Sequence, residues 1–215
     1  MFSYLRKVKK ITSNSFLFGP RGTGKSTWLK ETYPEAAYID FLDSETFRYY
    51  SARPERVATI KKDYPNKNCF IIDEVQKIPE VLSDLHKLIE DDKDLQCILT
   101  GSSSRKLKRK GIDLLSGRAV QKHFHPFMAC ELQADFQLDS ALKIGMVPLV
   151  ICAENQQETQ KSYISLYLDE EIKEEGLTRN IGNFNRFLET ISFSQGSVLN
   201  VSEISRDSQV KRNTV

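Results

Sequence analysis

Eight residues constrain this chain more than any others. Gly19 to Ser26 reads GPRGTGKS, a G-x-x-x-x-G-K-[ST] pattern that follows the apolar run SFLF and opens a polar, helix-compatible stretch. Strand, glycine-rich loop and helix in that order make an anion cradle. The glycines let backbone N–H groups turn inward onto phosphate oxygens, and the helix N-terminus adds the positive end of its dipole. Lys25 then sets an ammonium near the β- and γ-phosphates of a nucleotide, and Ser26 offers a hydroxyl to Mg²⁺. The expected nucleotide contacts are Gly19, Pro20, Arg21, Gly22, Thr23, Gly24, Lys25, Ser26 and Thr27. Arg21 and Thr23 fit solvated loop positions equally well.

The rest of the chain has room for one α/β domain and a small appendage. It has 215 residues, 40% of them hydrophobic and 28% charged, as in a folded globular protein. A net charge of +2 gives no global basic field, so any nucleic-acid contact has to come from a local patch. No apolar run approaches the roughly 18 residues of a membrane span. The N-terminal MFSYLRKVKK lacks the apolar segment of a secretory signal. Cys69, Cys97, Cys130 and Cys152 form no CxxC pair, which points to reduced thiols in a cytoplasmic protein.

Up to His125 the chain alternates short apolar runs with helix-compatible stretches. The runs are Ser15–Gly19, Ala36–Phe41, Cys69–Glu74, Leu95–Ser102 and Ala119–His125. The third and fourth are almost continuously apolar at their centres, as strands buried on both faces of a parallel sheet are. A helix is expected over Thr23–Thr32, stopped by Pro34, and another over Pro79–Glu90 with Val81, Leu82, Leu85, Leu88 and Ile89 on one stripe. The fold class is α/β, a parallel sheet flanked by helices. After Phe127 the pattern turns helical. The expected organisation is a phosphate-loop core over residues 1–130, a helical lid region over 131–190, and the start of a helix-turn-helix over 191–215.

The third run ends in two carboxylates, CFIIDEVQ, at the end of a strand where open α/β sheets place their ligand crevice. Asp73 suits the support of Mg²⁺, and Glu74 suits the base that polarises an attacking water. The fourth run ends ILTGSSS. In such a sheet it would lie beside the strand of Asp73, so its tip can sense the γ-phosphate. Ser102 is the first candidate for that role and Thr100 the second; a simple Gly/Ser turn is the competing reading.

These residues resemble a known family. GPRGTGKST, FIIDEVQKIPEVLSDLHKLIED, ILTGSSSRKLKRKGIDLLSGRA and HPFMACEL are similar to the prokaryotic AAA+ ATPases of the fourteenth AAA domain family, as are EEIKEEGLTRN and LNVSEISRDSQVKRNTV. The resemblance implies an ASCE-type P-loop core, a helical lid and a winged-helix-like module, normally followed by a C-terminal domain of unknown function. It implies ATP as the nucleotide, as does the absence of a guanine-reading NKxD sequence. Measured against that family, the chain is expected to stop at Val215 inside its helix-turn-helix.

The GRA element makes Arg118 a candidate for stabilising transition-state charge, in its own site or in a neighbouring subunit's, which would require a homo-oligomer. Ser103–Lys110 carries five cations in eight residues and reads as a solvated loop or as a phosphate or nucleic-acid contact. His86, His123 and His125 form no ligand set. In the C-terminal stretch, Asn200 or Ser202 can cap a helix with Ile204 inward, Asp207–Val210 would turn, and Lys211–Val215 would open a second helix. Lys211, Arg212 and Asn213 have the chemistry to meet DNA, and the same pattern equally serves a protein partner. The expected function is therefore Mg²⁺-dependent ATP binding and hydrolysis coupled to conformational change. The alternative is an ATP-dependent switch or DNA-associated regulator with negligible turnover. A small-molecule kinase would need an acceptor site and an arginine-rich lid that the sequence does not display.

Overall fold

A computed structural model describes residues 4–102, 107, 117–167 and 181–212. The chain divides into two compact units, Met1–Thr159 and Gln160–Val215. The first holds a five-stranded sheet of β1 (Ser15–Phe18), β2 (Ala37–Asp40), β3 (Cys69–Asp73), β4 (Gln96–Gly101) and β5 (Val120–His123). Its order is β2-β3-β4-β1-β5, and every neighbouring pair is parallel. The helices α1 (Lys25–Thr32), α2 (Ser44–Ala52), α3 (Ile60–Asp63) and α4 (Val81–Asp91) lie in the connections between strands.

The apolar runs form strands because both of their faces are covered. Phe16, Phe18, Phe70, Ile72, Cys97 and Leu99 join Tyr50, Val57, Val81 and Leu85 in one core cluster. Leu17, Ile71 and Ile98, the alternate positions, join Ile11, Trp28, Leu29, Tyr33 and Phe124 in the other. Period-two side-chain alternation divides each run between these two cores. On α4, Val81, Leu82, Leu85 and Ile89 are the buried stripe and Leu88 is only half covered. Burial pushes the Cys97 thiol up to about 12, and all four cysteines are free.

The parallel arrangement places the C-terminal ends of all five strands along one edge of the sheet. Strand β4 stands between β1 and β3, so the glycine-rich loop after β1 and the carboxylates at the end of β3 flank the tip of β4. Helix α1 starts at Lys25, two residues later than Thr23. Gly24 holds φ 86°, a left-handed backbone that ends the loop and serves as the helix N-cap.

After the sheet come α5 (Ala129–Leu132), α6 (Leu138–Ile144), α7 (Pro148–Ile151) and α8 (Gln156–Leu166). The second unit contains α9 (Ile181–Ser192) and α10 (Val201–Ser208), which pack on each other. Asn200 caps α10 by accepting the Glu203 N–H at 3.2 Å, and Ile204 is buried. The helix continues through Asp207 to Ser208, and Gln209, at φ 55°, ends it. The turn expected from Asp207 therefore begins two residues later. The basic run at 103–110, apart from the buried Leu107, and the positions Asn213–Val215 of the expected second helix lie outside the described residues. Among the described residues no helix is long and apolar enough to cross a membrane.

Candidate functional site

The loop from Gly19 to Gly24 wraps the ammonium of Lys25. Lys25 Nζ donates to the carbonyls of Gly19 at 2.6 Å and Pro20 at 3.1 Å, and the residue is buried. Gly19 is required by close packing, since a Cβ there would fall 2.2 Å from the Phe124 carbonyl at the end of β5. Thr23 is a brace within the loop. It is fully buried, and its hydroxyl donates to the Pro20 carbonyl at 2.8 Å, which removes it from the choices open to a solvated position. Arg21, Gly22, Lys25, Ser26, Thr27 and Glu74 line a cavity of about 330 Å³ beside the loop.

Ser26 and Asp73 meet directly, because the first turn of α1 lies against the end of β3. Ser26 Oγ donates to Asp73 Oδ2 at 2.6 Å. The same oxygen accepts from the Tyr38 hydroxyl on β2, and Oδ1 accepts from the Thr100 hydroxyl on β4. Asp73 is 1% exposed, with three hydroxyl donors around it. Burial, followed by the charge of Asp73, pushes the Tyr38 phenol well above its usual range, so it remains a donor.

Glu74 follows in a left-handed conformation, φ 59° and ψ 44°, which is uncommon for a residue with a side chain. Its backbone N–H donates to Thr100 Oγ1 at 3.0 Å, and its carboxylate accepts from the Gln76 amide. Thr100 thus bridges both acidic residues. Burial raises the Glu74 carboxyl above the ordinary carboxylate value and Asp73 adds to the rise, while Lys25 pulls it partly back. A buried base with an elevated proton affinity beside a phosphate-sized cradle is suited to accepting a proton from water.

Of the two candidates on β4, Thr100 is placed on the carboxylates. Ser102 stands past the strand's end, its Oγ buried without a hydrogen-bond partner among the described residues. Arg118 is not brought to the loop. The register pairs Val120 with Ser15, which sets Arg118 level with Ser13, about 20 Å of strand from Gly19. There it donates to Glu90 at the end of α4, at 2.8 Å and 2.5 Å. Its own chain's glycine-rich loop is beyond its reach, because a residue just before a parallel strand lies at the opposite edge from residues just after one. His86 Nε2 stands 3.7 Å from Glu90, and among the described residues no group of three or more His, Cys, Asp and Glu could hold a metal ion.

Three participants were not legible as such in the sequence. Tyr38 looks like an ordinary strand aromatic, and Gln76 like the first residue past the acidic pair. Arg6 belongs to the segment before β1. Its guanidinium donates to the Thr23 carbonyl at 2.7 Å, to the His125 carbonyl at 2.6 Å and to Glu131 at 3.1 Å, and lies over the rings of Phe124 and Phe127, 4.2 Å and 4.9 Å from their centroids. From the other side, the Leu149 N–H on α7 donates to the Gly22 carbonyl at 3.1 Å. The loop is therefore fastened both to the N-terminal segment and to the helices after the sheet.

A parallel sheet with β4 between the loop strand and the acid strand, a lysine in the loop and a serine against the acid define a P-loop nucleotide-binding fold of the AAA type. Residues 12–133 match the family model described as an AAA domain, the fourteenth of its series, and residues 135–215 match a domain of unknown function. The chain belongs to this AAA family. No curated protein sequence matches it. Among solved structures it is similar to the replication initiator DnaA bound to AMPPCP and single-stranded DNA, at 13% identity and TM-score 0.44, covering 93% of this chain and 78% of that one. Domain III of the Thermotoga maritima replication initiation protein DnaA is similar at 15% identity and TM-score 0.33, covering 90% and 82%. A DNA replication initiation factor is similar at 14% and 0.43, covering 93% and 78%.

Proposed function

We propose that this chain binds ATP with Mg²⁺ and hydrolyses it. The observation that carries the reading is the contact of Ser26 with Asp73 beside Lys25 and Glu74. A hydroxyl and a buried carboxylate are oxygen donors of the kind Mg²⁺ takes, and Ser26 and Asp73 would hold it. When bound, the ion neutralises charge on the β- and γ-phosphate oxygens. The loop N–H groups and Lys25 orient the phosphates. Water attacks the γ-phosphorus, the bond to the β–γ bridging oxygen breaks, and the water's proton passes to Glu74, leaving ADP and inorganic phosphate. The links from Gly22 to Leu149 and from Thr23 to Arg6 support coupling between nucleotide state and the segments around the loop. Free cysteines support a reducing, cytoplasmic setting. Arg118 would serve only a neighbouring subunit of a homo-oligomer. Phosphate release from ATP and from GTP, in wild type and Glu74→Gln, tests the reading. Equal release from both proteins would refute it.

A second reading is an ATP-dependent switch that contacts DNA or a protein and turns over negligibly. The capped α10, packed on α9 and followed by a sharp turn into Lys211 and Arg212, favours it. Weak, salt-sensitive DNA binding at most is its expected outcome; tight, sequence-specific binding at physiological salt by these 215 residues would exceed what two short helices carry.

A further inference from the structure

Gln76 lies two residues past Glu74, in the short 3₁₀ turn Val75–Lys77. Its Nε2 donates to Glu74 Oε2. An ionised carboxylate only accepts, which fixes the orientation of the amide: nitrogen toward Glu74, oxygen away. That oxygen points at the end of β4, where a Cβ on Gly101 would stand 2.7 Å from Gln76 Oε1. Glycine at position 101 is what lets the amide lie there, and its backbone has no unusual φ that would demand glycine by itself. Among the described residues, Gln76 Oε1 is buried without a hydrogen-bond partner, and so is Ser102 Oγ one residue past Gly101. Burying an unsatisfied polar atom is costly, so two such atoms near the end of β4 need an account.

We propose that Gln76 is a positioning residue for the attacking water. Its amide N–H fixes the Glu74 carboxylate, and its Oε1, with Ser102 Oγ, completes the hydrogen bonds of the water that Glu74 deprotonates. The three groups match the water's needs: Glu74 and Gln76 accept its two protons and Ser102 donates to its oxygen. The proton transferred in the reaction goes to Glu74, and the amide changes neither protonation nor covalent state. The inference rests on the ATPase reading and adds to it the residue that sets the direction of attack.

Gln76→Ala, Gln76→Glu and Gly101→Ala test it. The first removes the amide, the second puts a carboxylate where Glu74 needs a donor, and the third pushes the amide away from another strand without touching it. Each is compared with wild type and Glu74→Gln for phosphate release, for affinity toward Mg·ATP and toward ADP–aluminium fluoride, and for Tm. Loss of one preorganised group should lower kcat about 100-fold and weaken ADP–aluminium fluoride by a similar factor. Affinity for Mg·ATP should stay within about threefold, as expected for an interaction made only in the transition state. Wild-type turnover in Gln76→Ala, with Glu74→Gln inactive, would overturn the inference and leave the ATPase reading standing. Parallel losses of Tm, ATP affinity and kcat in all three variants would also overturn it, by assigning Gln76 a structural role. A wild type that binds Mg·ATP and releases no phosphate would overturn both.

Discussion

Tyr38 Oη and Ser26 Oγ donate to the same oxygen of Asp73. The phenol comes from β2, an edge strand, and the hydroxyl from the first turn of α1, so two separate elements hold the carboxylate in one orientation. Groups that orient a metal-bound carboxylate typically contribute 10- to 100-fold to metal affinity. Tyr38→Phe should therefore raise the Mg²⁺ concentration needed for half-maximal ATP binding about tenfold, with ATP affinity at saturating Mg²⁺ little changed. Titrating Mg²⁺ against a fluorescent ATP analogue measures this, and an unaltered Mg²⁺ requirement would remove Tyr38 from the site.

Lys25→Ala should abolish useful nucleotide affinity without unfolding the sheet. The ammonium is buried against two loop carbonyls, and Lys25 belongs to neither core cluster. Charge-assisted hydrogen bonds are each worth about 1.5–3 kcal/mol, and losing those to the phosphates predicts a Kd at least about 100-fold weaker. Calorimetry with ATP, alongside a far-UV circular dichroism melt, separates lost binding from lost fold. Wild-type affinity in the variant would mean that the loop is not a phosphate site.

Glu74→Gln should bind Mg·ATP and lose turnover by about 10²–10⁴-fold, the usual contribution of a general base. It should also melt at a higher temperature than wild type at neutral pH. The folded protein raises the Glu74 carboxyl above its ordinary value, chiefly through burial. A raised acid contributes stability only while protonated; that contribution is lost as pH rises from the unfolded value near 4.3 through the folded one. At pH 7, above the unfolded value, the raised carboxyl is a net cost, and the neutral amide removes it. The comparison of melts at pH 7 in nucleotide-free protein decides: a lower Tm for the variant would contradict the sign argued here.

The parts of this site that could be read from the chain are those whose geometry is local. Gly19–Ser26 binds phosphate, in this reading, through a loop that the sequence spells out contiguously, and Asp73 and Glu74 follow an apolar run that has to be a buried strand. Placement across the sheet needed the structure. The Tyr38–Asp73 and Arg6–Glu131 bonds span 35 and 125 residues, and nothing in one stretch marks the other as its partner. Composition puts Ser102 ahead of Thr100, but it carries no register, and the structure places Thr100 on the carboxylates instead. Their roles divide because Thr100 is the residue after Leu99, which pairs with Ile72 and so sets it beside Asp73, whereas Ser102 lies beyond the strand. Arg118 follows the same logic in reverse. It precedes β5, and in a parallel sheet that alone assigns it to the edge away from the loop.

The Arg6–Glu131 pair should make the first unit sensitive to acid. Glu131 is 3% exposed, and besides Arg6 it accepts from the backbone N–H groups of Lys7 at 2.6 Å and Met128 at 2.9 Å. Burial alone would raise its carboxyl; the two N–H groups and the guanidinium outweigh burial and hold it below the ordinary value. A lowered acid contributes stability that is fully present above the unfolded value, near 4.3, and is lost as pH falls through the folded one. In Glu131→Gln this term is absent. Its Tm should lie below wild type at pH 6 to 7, with the gap closing as pH falls from about 5 toward 3. Arg6→Met, which leaves the carboxylate buried without its cation, should cost about 3 kcal/mol at neutral pH. It also releases the Thr23 carbonyl behind the phosphate loop, so ATP affinity should fall with stability. Thermal melts of the three proteins across that pH range test the argument. A wild-type-to-Glu131→Gln gap that stays constant or widens in acid would show that another group carries the acid dependence.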